Sequence, residues 1–378
     1  MFIVVGINRK KMFYLAILSL MYLPGISQET QKEKRVSKTN VSIVGDQFYI
    51  NGQPTFKGRT YNGMKIEGLL PNSRMVQGIF DDLNDSTRHL WAYPDTKVWD
   101  AERNTNEFVK AMPEWKKHGL LAFTLNLQGG SPYGYSNKQP WYNSAIDSSG
   151  NLRKEYMLRL RKILNKADDL GMVCILGIFY FGQDERVKDE DAVRRAVRQT
   201  INWLHRANYK NVIIEINNEC SPNGYQHDNL KPKGVHQLIE LVRDMKDENG
   251  HHYLVSTSYV GKNRPTPQVI AASDFLLVHG NGISNQDTLV AFYNDFKRLM
   301  GDKVMPMVNN EDDHFNFDKP QNNMLTSFQN YVSWGYFDFR KKDEPFETGY
   351  QSMPASWKID TERKKGFFGL LKTITGGF

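Results

Sequence analysis

The segment "NVIIEINNECSP", residues 211–222, places two glutamates within and directly after a run of valine and isoleucine. Such a short apolar run predicts a buried strand, where a carboxylate is unfavourable unless it is paired or hydrogen-bonded. Side chains alternate along a strand, so Glu215, Asn217 and Glu219 share one face. We therefore predict that Glu215 lies deep and meets a partner such as Arg59, whereas Glu219 lies at the strand end and faces a ligand.

The segments on either side repeat this pattern of an apolar strand and an amphipathic helix. The eight predicted strands, in chain order, are "FKGRTYN", "LLAFTLNLQ", "MVCILGIFYF", "VIIEIN", "YLVSTSYV", "DFLLVHG", "VMPMVNNE" and "YFDF". Strands that alternate with helices predict a parallel sheet covered by helices. We predict an α/β fold, a (β/α)8 TIM barrel, for which a chain of 378 residues is long enough.

The alternative fold for this pattern is a doubly wound open sheet. No Gly-x-Gly-x-x-Gly motif follows the first predicted strand, and no other strand ends in a phosphate-binding loop, so the barrel is favoured. Turn signals at Gly45-Asp46 and Asn51-Gly52 predict a short N-terminal β-hairpin. Residues 63–106 are predicted to form a long insertion after strand one, which lies next to the active site.

The N-terminus has the pattern of a secretory signal peptide. Basic residues 9–11 precede an apolar run from Met12 to Pro24, and small residues follow at Gly25 and Ser27. The apolar run is too short to cross a bilayer, although an uncleaved anchor is the alternative. We predict an exported protein with a signal peptide at 1–27, a polar linker at 28–40 and one catalytic domain at 41–378.

The composition indicates a globular protein without a nucleic-acid partner. Hydrophobic residues make up 40% of the chain and charged residues 24%. The net charge is +7, but basic and acidic residues alternate along the helical faces, and a basic stripe with interleaved aromatics is absent from the sequence. Cys174 and Cys220 fall near opposite ends of neighbouring strands, so we predict both to be free. We expect a monomer without stable membrane insertion.

The predicted strands end in polar residues. Their carboxyl-terminal tips read "GRTYNG", "NLQGG", "FYFGQDE", "EINNEC", "TSYVG", "LVHGNG", "VNNEDDH" and "YFDFR". Chemistry in (β/α)8 barrels gathers at this end of the strands, so the sequence predicts a functional site there.

The Glu-x-x-Asn-Glu pattern at residues 215–219 resembles the signature of the large clan of retaining (β/α)8 glycoside hydrolases, clan A. The cellulase and mannanase-like families are the nearest match. Glu311, at the end of strand seven, is similar to a second glutamate of that clan. The clan usually has a tryptophan near the end of strand eight, and Trp334 lies close to that position but slightly earlier in the chain. The resemblance covers residues 47–340, and Cys220 stands where the clan usually has proline, so the chain resembles a divergent member.

The resemblance implies an enzyme that cleaves β-glycosidic bonds of a polysaccharide or oligosaccharide with retention and without a cofactor. It implies that Glu219 is the general acid/base, Glu311 the nucleophile and Asn218 a partner of the sugar 2-hydroxyl. This chemistry needs one protonated and one ionised carboxyl group about 5 Å apart, because the ionised one attacks the anomeric carbon directly.

Two positions depart from the pattern of the clan. His279 is implied as a sugar contact, but Asn281 stands where the clan has a tyrosine that orients the nucleophile. Tyr259, at the end of strand five, is a candidate replacement for that tyrosine. Arg59 is predicted on strand one, whereas the cellulase-like families keep a supporting arginine near the next strand.

Further candidates for substrate binding are polar or aromatic residues near the strand tips. Gln128, Trp141, Tyr133 and Tyr135 belong to or follow strand two, and Trp334 is a candidate platform beneath the sugar. Aromatic rings stack on sugars, but ordinary packing is the alternative for each of them.

Two other functions remain open at this stage. One is a glycan-binding barrel that has lost turnover. The other is a metal-dependent hydrolase or lyase that uses Glu311, Asp312 and His314. Consecutive residues alternate faces on a strand, so these side chains converge on one ion only if the segment is a loop.

Overall fold

The computed structural model describes residues 35–136, 138–259, 261 and 263–378. The predicted signal peptide, residues 1–27, and residues 28–34 of the predicted linker lie outside the described residues, and both stay predictions. The remainder of the linker is packed, because Arg35 and the backbone N–H of Thr39 both contact the Asp168 carboxylate.

Three short antiparallel strands and a two-stranded ribbon open the described chain. Their bounds are β1 Val41–Val44, β2 Gln47–Ile50, β3 Gln53–Pro54, β4 Thr60–Tyr61 and β5 Met64–Lys65. Phe48 of β2 is fully buried, and its ring centroid lies 6.3 Å from that of Phe275. The predicted N-terminal hairpin is therefore present, and it packs beneath the amino-terminal ends of the main strands.

The main sheet is a closed parallel barrel. The strands are β6 Asn72–Arg74, β7 Ala122–Asn126, β8 Val173–Phe179, β9 Val212–Asn217, β10 Val255–Ser256, β11 Ser258–Tyr259, β12 Leu276–His279, β13 Met307–Asp312 and β14 Ser333–Tyr336. Their hydrogen-bonded order is β10-β9-β8-β7-β6-β14-β13-β12-β11. A single residue, Thr257, separates β10 from β11, so these two segments form one broken strand and eight strands close on themselves. The predicted TIM barrel is confirmed.

Helices cover the outside of the barrel. They are α1 Asp85–Arg88, α2 Ala101–Lys117, α3 Lys154–Leu170, α4 Glu190–Ala207, α5 Val235–Asp244, α6 Pro267–Ala272, α7 Gln286–Met300, α8 Asn323–Gln329 and α9 Glu362–Thr375. Short 3-10 helices lie at His89–Trp91, Asp184–Arg186 and Asp228–Leu230. The Asp100 side chain caps α2, and Gly171 ends α3 in the left-handed conformation. Among the described helices, none has the length and apolarity to cross a membrane.

Two barrel strands lie at other positions than predicted. Strand one is Asn72–Arg74 rather than residues 56–62, and strand eight is Ser333–Tyr336 rather than residues 336–339. The polar triplet of strand one lacks the apolar pattern of a buried strand because its alternate side chains face a polar barrel interior. The long insertion after strand one therefore runs from the end of β6 to the start of α2 at Ala101.

The inward-facing side chains divide the barrel interior, or lumen, into two zones. An apolar floor at the amino-terminal side consists of Phe48, Ile175, Ile213, Leu277 and Val308 with their neighbours. Most other inward positions are polar, and they lead up to the carboxyl-terminal mouth. The floor joins the hairpin to the barrel, whereas the polar zone carries the candidate site.

The cysteines confirm the sequence-based expectation. Cys174 and Cys220 are both buried and free, and burial raises the pKa of each thiol. Neither is therefore a reactive thiolate near neutral pH.

Candidate active site

Glu219 and Glu311 lie together at the carboxyl-terminal mouth of the barrel. Glu219 follows the end of β9 by two residues, and Glu311 is the penultimate residue of β13. One carboxylate oxygen of each and one ring nitrogen of His279 all lie within 4.8 Å of one another. His279 Nδ1 is 3.0 Å from Glu219 Oε1 and 3.4 Å from Glu311 Oε2. The site thus contains a carboxyl pair with an imidazole beside both members.

A buried arginine at the end of strand one supports this pair. Arg74 Nε lies 2.7 Å from Glu311 Oε2, and Arg74 Nη2 donates to Asn218 Oδ1 at 2.7 Å. Burial lowers the pKa of Arg74, but the negative charges of Glu311 and Glu215 outweigh burial and raise it. The guanidinium therefore stays charged and holds Glu311 and Asn218 in fixed positions.

The prediction for Arg59 is wrong, and the sequence reasoning missed Arg74. Arg59 donates from Nε to the Ile374 carbonyl at 2.7 Å and from Nη2 to the Thr373 carbonyl at 2.9 Å. It therefore binds the carboxyl-terminal turn of α9 and does not pair with Glu215. The available signal was "LLPNSRM", where an apolar pair precedes a polar triplet that ends in Arg74.

Asn281 occupies the position where a supporting tyrosine was expected. Its Nδ2 donates to Glu311 Oε1 at 2.7 Å. Tyr259, the candidate replacement, is fully buried, and its hydroxyl group has no hydrogen-bond partner among the described residues. An amide donor from the loop after β12 therefore performs the contact directly.

Burial and mutual repulsion shape the protonation of the pair. Burial raises the pKa of Glu311 and the neighbouring Glu219 adds to the rise, whereas Arg74, His279 and Asn281 act in the opposite direction. Burial lowers the pKa of His279, but Glu311 and Glu219 outweigh burial and raise it overall. Glu311 and His279 therefore each keep a proton to higher pH than the same group would in water.

The backbone of Glu219 adopts a left-handed conformation with φ of 53°. Its N–H donates to Ser258 Oγ at 2.8 Å, and the Cys220 N–H donates to the Ser258 carbonyl at 2.9 Å. A non-glycine residue in this region costs about 1–3 kcal/mol, which the two bonds to Ser258 help to offset. Proline has no N–H, so the second bond requires a residue such as Cys220 at this position.

Trp334 does not face the mouth. It is fully buried, and its ring centroid lies 5.8 Å from those of Phe317 and Phe367, the latter on α9. Because strand eight begins three residues earlier than predicted, the alternation along β14 turns Trp334 outward. The packing alternative is therefore correct for this residue.

Gln128 and Trp141 are also engaged by the protein itself. Gln128 Nε2 donates to Ser144 Oγ and to the Gln183 carbonyl, each at 3.3 Å. Trp141 is 2% exposed, and its ring centroid lies 5.7 Å from that of Trp91. Both residues stabilise the loop after β7 and offer little surface to a ligand.

An exposed tyrosine supplies the aromatic surface near the pair. Tyr135 is 54% exposed, and its ring packs edge-on against Phe337 at 5.6 Å between centroids. Its hydroxyl group donates to Asp313 Oδ2 at 3.3 Å. Burial, and then the charges of Glu311 and Asp313, raise the pKa of Tyr135.

The predicted metal set of Glu311, Asp312 and His314 does not converge. Glu311 lies beside His279 on the neighbouring strand β12, whereas Asp312 and His314 form a separate group with Asp313. Asp312 Oδ1 lies 2.8 Å from His314 Nδ1. Neighbouring residues on β13 point to opposite sides, which separates the two groups.

Comparison with known proteins identifies the fold. No family model and no curated protein sequence matches the chain. Solved structures do match the chain. The barrel has the fold of known glycoside hydrolases. An endo-1,4-beta-mannanase from Rhizomucor miehei is similar at a TM-score of 0.53 and 11% identity, over 89% of this chain and 98% of that chain. A glycoside hydrolase family 5 protein from Bacteroides vulgatus is similar at a TM-score of 0.53 and 12% identity, over 88% of this chain and 70% of that chain. A family 5 mannosidase from Rhizomucor miehei is similar at a TM-score of 0.52 and 12% identity, over 90% of this chain and 98% of that chain.

Proposed function

We propose that the protein is an exported glycoside hydrolase that cleaves β-glycosidic bonds with retention of configuration. The spacing of the carboxyl pair carries the proposal, because oxygens of Glu219 and Glu311 lie within 4.8 Å of each other. Retaining enzymes keep the two carboxyl groups about 5–5.5 Å apart, whereas inverting enzymes need about 6.5–9.5 Å to admit a water molecule. The observed spacing supports direct attack by one carboxylate.

The ion-pair partners and the hydrogen-bond donor around Glu311 support one assignment of roles. Arg74 and Asn281 each approach Glu311 at 2.7 Å, and His279 lies 3.4 Å away. Donors that bind a carboxylate favour its ionised form, so Glu311 is the proposed nucleophile. Glu219 has His279 as its side-chain partner among the described residues, and its side chain is 18% exposed against 5% for Glu311. Glu219 is therefore the proposed acid/base.

The reaction proceeds by double displacement. Glu219 protonates the leaving oxygen as the glycosidic bond breaks, while Glu311 attacks the anomeric carbon and forms a covalent intermediate. Glu219 then removes a proton from a water molecule that attacks the same carbon and releases Glu311. Asn218, whose oxygen is held by Arg74, presents its amide nitrogen to the sugar 2-hydroxyl.

The substrate class follows from the aromatic surface and from similar proteins. Tyr135 offers an exposed ring beside the pair, which suits the apolar face of a sugar. The similar structures include a mannanase and a mannosidase, so β-linked mannose-containing glycans are the first substrates to test. The predicted signal peptide supports action on an extracellular polysaccharide or oligosaccharide.

The test compares the wild type with Glu219→Ala and Glu311→Ala on β-linked polysaccharides and aryl β-glycosides. Both variants are expected to lose about 10²–10⁴-fold or more in kcat/KM, because each removes one half of the pair. Added azide should give a β-glycosyl azide with Glu219→Ala and an α-glycosyl azide with Glu311→Ala. Glu240→Ala, on the exposed face of α5, is the matched control and should retain wild-type activity.

Two outcomes would contradict the proposal. Turnover by Glu311→Ala at the wild-type rate would exclude Glu311 as the nucleophile. A wild type that binds glycans and cleaves none would instead indicate a carbohydrate-binding barrel.

A metal-dependent hydrolase is the second candidate. Glu219, His279 and Glu311 offer three ligand atoms that lie close enough together to hold one ion. Arg74, 2.7 Å from Glu311 Oε2, competes with a divalent cation for that oxygen, which favours the glycosidase. Activity that is lost on chelation and restored by an added divalent metal would support the second candidate, whereas activity indifferent to chelation would support the first.

A further inference from the structure

Glu215 is a buried carboxylate on the same strand as the proposed acid/base. It lies in β9 with 0% exposure, and neither of its oxygens accepts a hydrogen bond from any described residue. Burying a carboxylate without partners is strongly unfavourable. Another group must therefore bind Glu215 in the folded protein.

The neighbouring inward side chains share this property. In six of these residues, buried polar atoms have no hydrogen-bond partner in the described part of the chain. The atoms are Asn72 Oδ1, Arg74 Nη1, Thr124 Oγ1, Nδ2 and Oδ1 of Asn126, Nδ2 and Oδ1 of Asn310, and Oε1 and Oε2 of Glu215. We call these six residues the polar chamber. Buried polar groups are nearly always hydrogen-bonded, and ordered water supplies the bond where the protein does not. The mixture of donors and acceptors suits a cluster of bound water molecules.

The strand register brings the chamber residues together. Gly177 of β8 pairs with Asn126 of β7 on one side and with Glu215 of β9 on the other. A Cβ atom at Gly177 would lie 2.2 Å from Asn126 Oδ1. The glycine thus gives the Asn126 amide room to lie over β8, next to the strand that carries Glu215.

Arg74 connects the chamber to the candidate active site. Its Nε binds Glu311 and its Nη2 binds Asn218, which leaves Nη1 buried and without a described partner. Burial lowers the pKa of Arg74, and Glu311 followed by Glu215 raises it, so the Glu215 charge acts on this guanidinium.

We propose that Glu215 is a positioning residue, whose carboxylate is bridged by bound water in the polar chamber to Arg74 Nη1. The water bridge fixes the guanidinium between Asn218 and Glu311. The carboxylate of Glu215 also places a negative charge beneath Glu219 and Glu311. This inference rests on the proposed function of Glu219 and Glu311. Glu215 itself touches neither the substrate nor the reacting atoms.

The charge of Glu215 acts on Arg74 on β6 and on Tyr225 after β9. Glu219, His279 and Glu311 lie further along the strands, at the carboxyl-terminal ends of β9, β12 and β13. A negative charge raises the pKa of nearby acids and of nearby imidazoles. Neutralising Glu215 therefore removes a negative charge from beneath Glu311 and His279, which lowers the pKa of both.

The first test is Glu215→Gln, which keeps the shape of the side chain and removes its charge. We expect kcat to fall about tenfold with little change in KM, and both limbs of the pH–rate profile to move about half a pH unit lower. Asp168→Asn is the matched control, since it also converts a buried carboxylate, which contacts Arg35 and Thr39 away from the site. The control should lower the melting temperature and leave both limbs in place. The same behaviour in Glu215→Gln would overturn the proposal.

A crystal structure of the wild-type protein tests the bridge without any variant. Water within hydrogen-bonding distance of both Glu215 and Arg74 Nη1 supports the proposal. A dry chamber, or a metal ion bound by Glu215, overturns it.

An NMR titration of His279 separates this inference from the proposed function. A lower pKa of His279 in Glu215→Gln than in the wild type supports the charge effect even if no glycan is cleaved. An unchanged pKa overturns the charge effect even if the wild type is an active glycosidase.

Discussion

The floor and the mouth of the barrel are built from the same strands but hold opposite kinds of side chain. Along β9, Ile213 packs in the apolar floor, Glu215 lies in the polar chamber, and Glu219 follows at the mouth. On β12, Leu277 belongs to the floor and His279 to the site. On these two strands the first residues pack in the apolar floor, and the last residues lead to the candidate site. Substitutions at the two ends should affect different measurements.

Among the substitutions that distinguish the floor from the mouth, Phe48→Ala is expected to have the largest effect, which is a loss of stability. Phe48 is fully buried in the floor and packs against Phe275. Removing a buried phenylalanine ring should lower the free energy of unfolding by about 3–5 kcal/mol, measured by denaturant titration. The kcat of the folded protein should stay unchanged, because the mouth lies at the opposite end of the strands.

Val44→Ala is the control for this prediction. Val44 lies on the same hairpin but is 57% exposed, so its substitution should change stability by less than about 0.5 kcal/mol. A loss of kcat in Phe48→Ala under conditions where the protein is fully folded would show that floor and mouth are coupled.

The sequence predicts the barrel well because long strands and helices carry strong periodic signals. The runs that became β7, β8, β9, β12 and β13 are apolar over several residues, and the structure has a strand within each of them. Strand one is only Asn72–Arg74, and its inward side chains are polar, so hydrophobicity carries no signal there. Strand eight begins three residues earlier than predicted, and Trp334 lies within it as a buried residue rather than at the mouth.

The candidate site likewise contains some residues that the sequence predicts and others that it does not. The predicted convergence of Glu219, Glu311 and His279 depends on strands with clear ends, and the structure brings these side chains together. Arg74 lies on the strand without an apolar signal, so the sequence pattern favours Arg59 in its place. Asn281 was seen at its position, but sequence alone does not show which atom an amide on a loop will contact.

The second prediction concerns Arg74→Lys, which tests whether Arg74 acts through the geometry of its guanidinium group or through its positive charge alone. Lysine keeps the positive charge but is a single point donor, which cannot span Glu311 and Asn218 as the guanidinium does. We expect Arg74→Lys to lower kcat/KM by about 100-fold while the acid limb of the pH–rate profile stays in place. Arg88→Lys, which replaces an exposed arginine paired with Asp85, should leave kcat/KM unchanged.

Either of two results would change this view of Arg74. Full activity of Arg74→Lys would show that the charge alone supports Glu311. A shift of the acid limb to higher pH would show that the lysine no longer reaches the carboxylate.

The smallest effect is expected at Asn281, whose amide donates to Glu311 Oε1 at 2.7 Å. A donor favours the ionised carboxylate and so lowers the pKa of Glu311, as Arg74 and His279 also do. Asn281→Ala removes this contribution, so the pKa of Glu311 rises and the acid limb of kcat/KM moves to higher pH. The lost hydrogen bond to a charged group corresponds to about a tenfold fall in kcat/KM.

The pH–rate profile of Asn281→Ala is compared with that of Asn249→Ala, which removes an exposed amide from a loop. The control should match the wild type at every pH. If Asn281→Ala keeps the wild-type acid limb, the ionised form of Glu311 is secured by Arg74 and His279 without the amide. The direction of the shift is diagnostic, because Asn281→Ala should move the limb upward while Glu215→Gln should move it downward. Opposite shifts from a donor beside Glu311 and a charge beneath it would show that the mouth and the polar chamber set the same proton equilibrium from two sides.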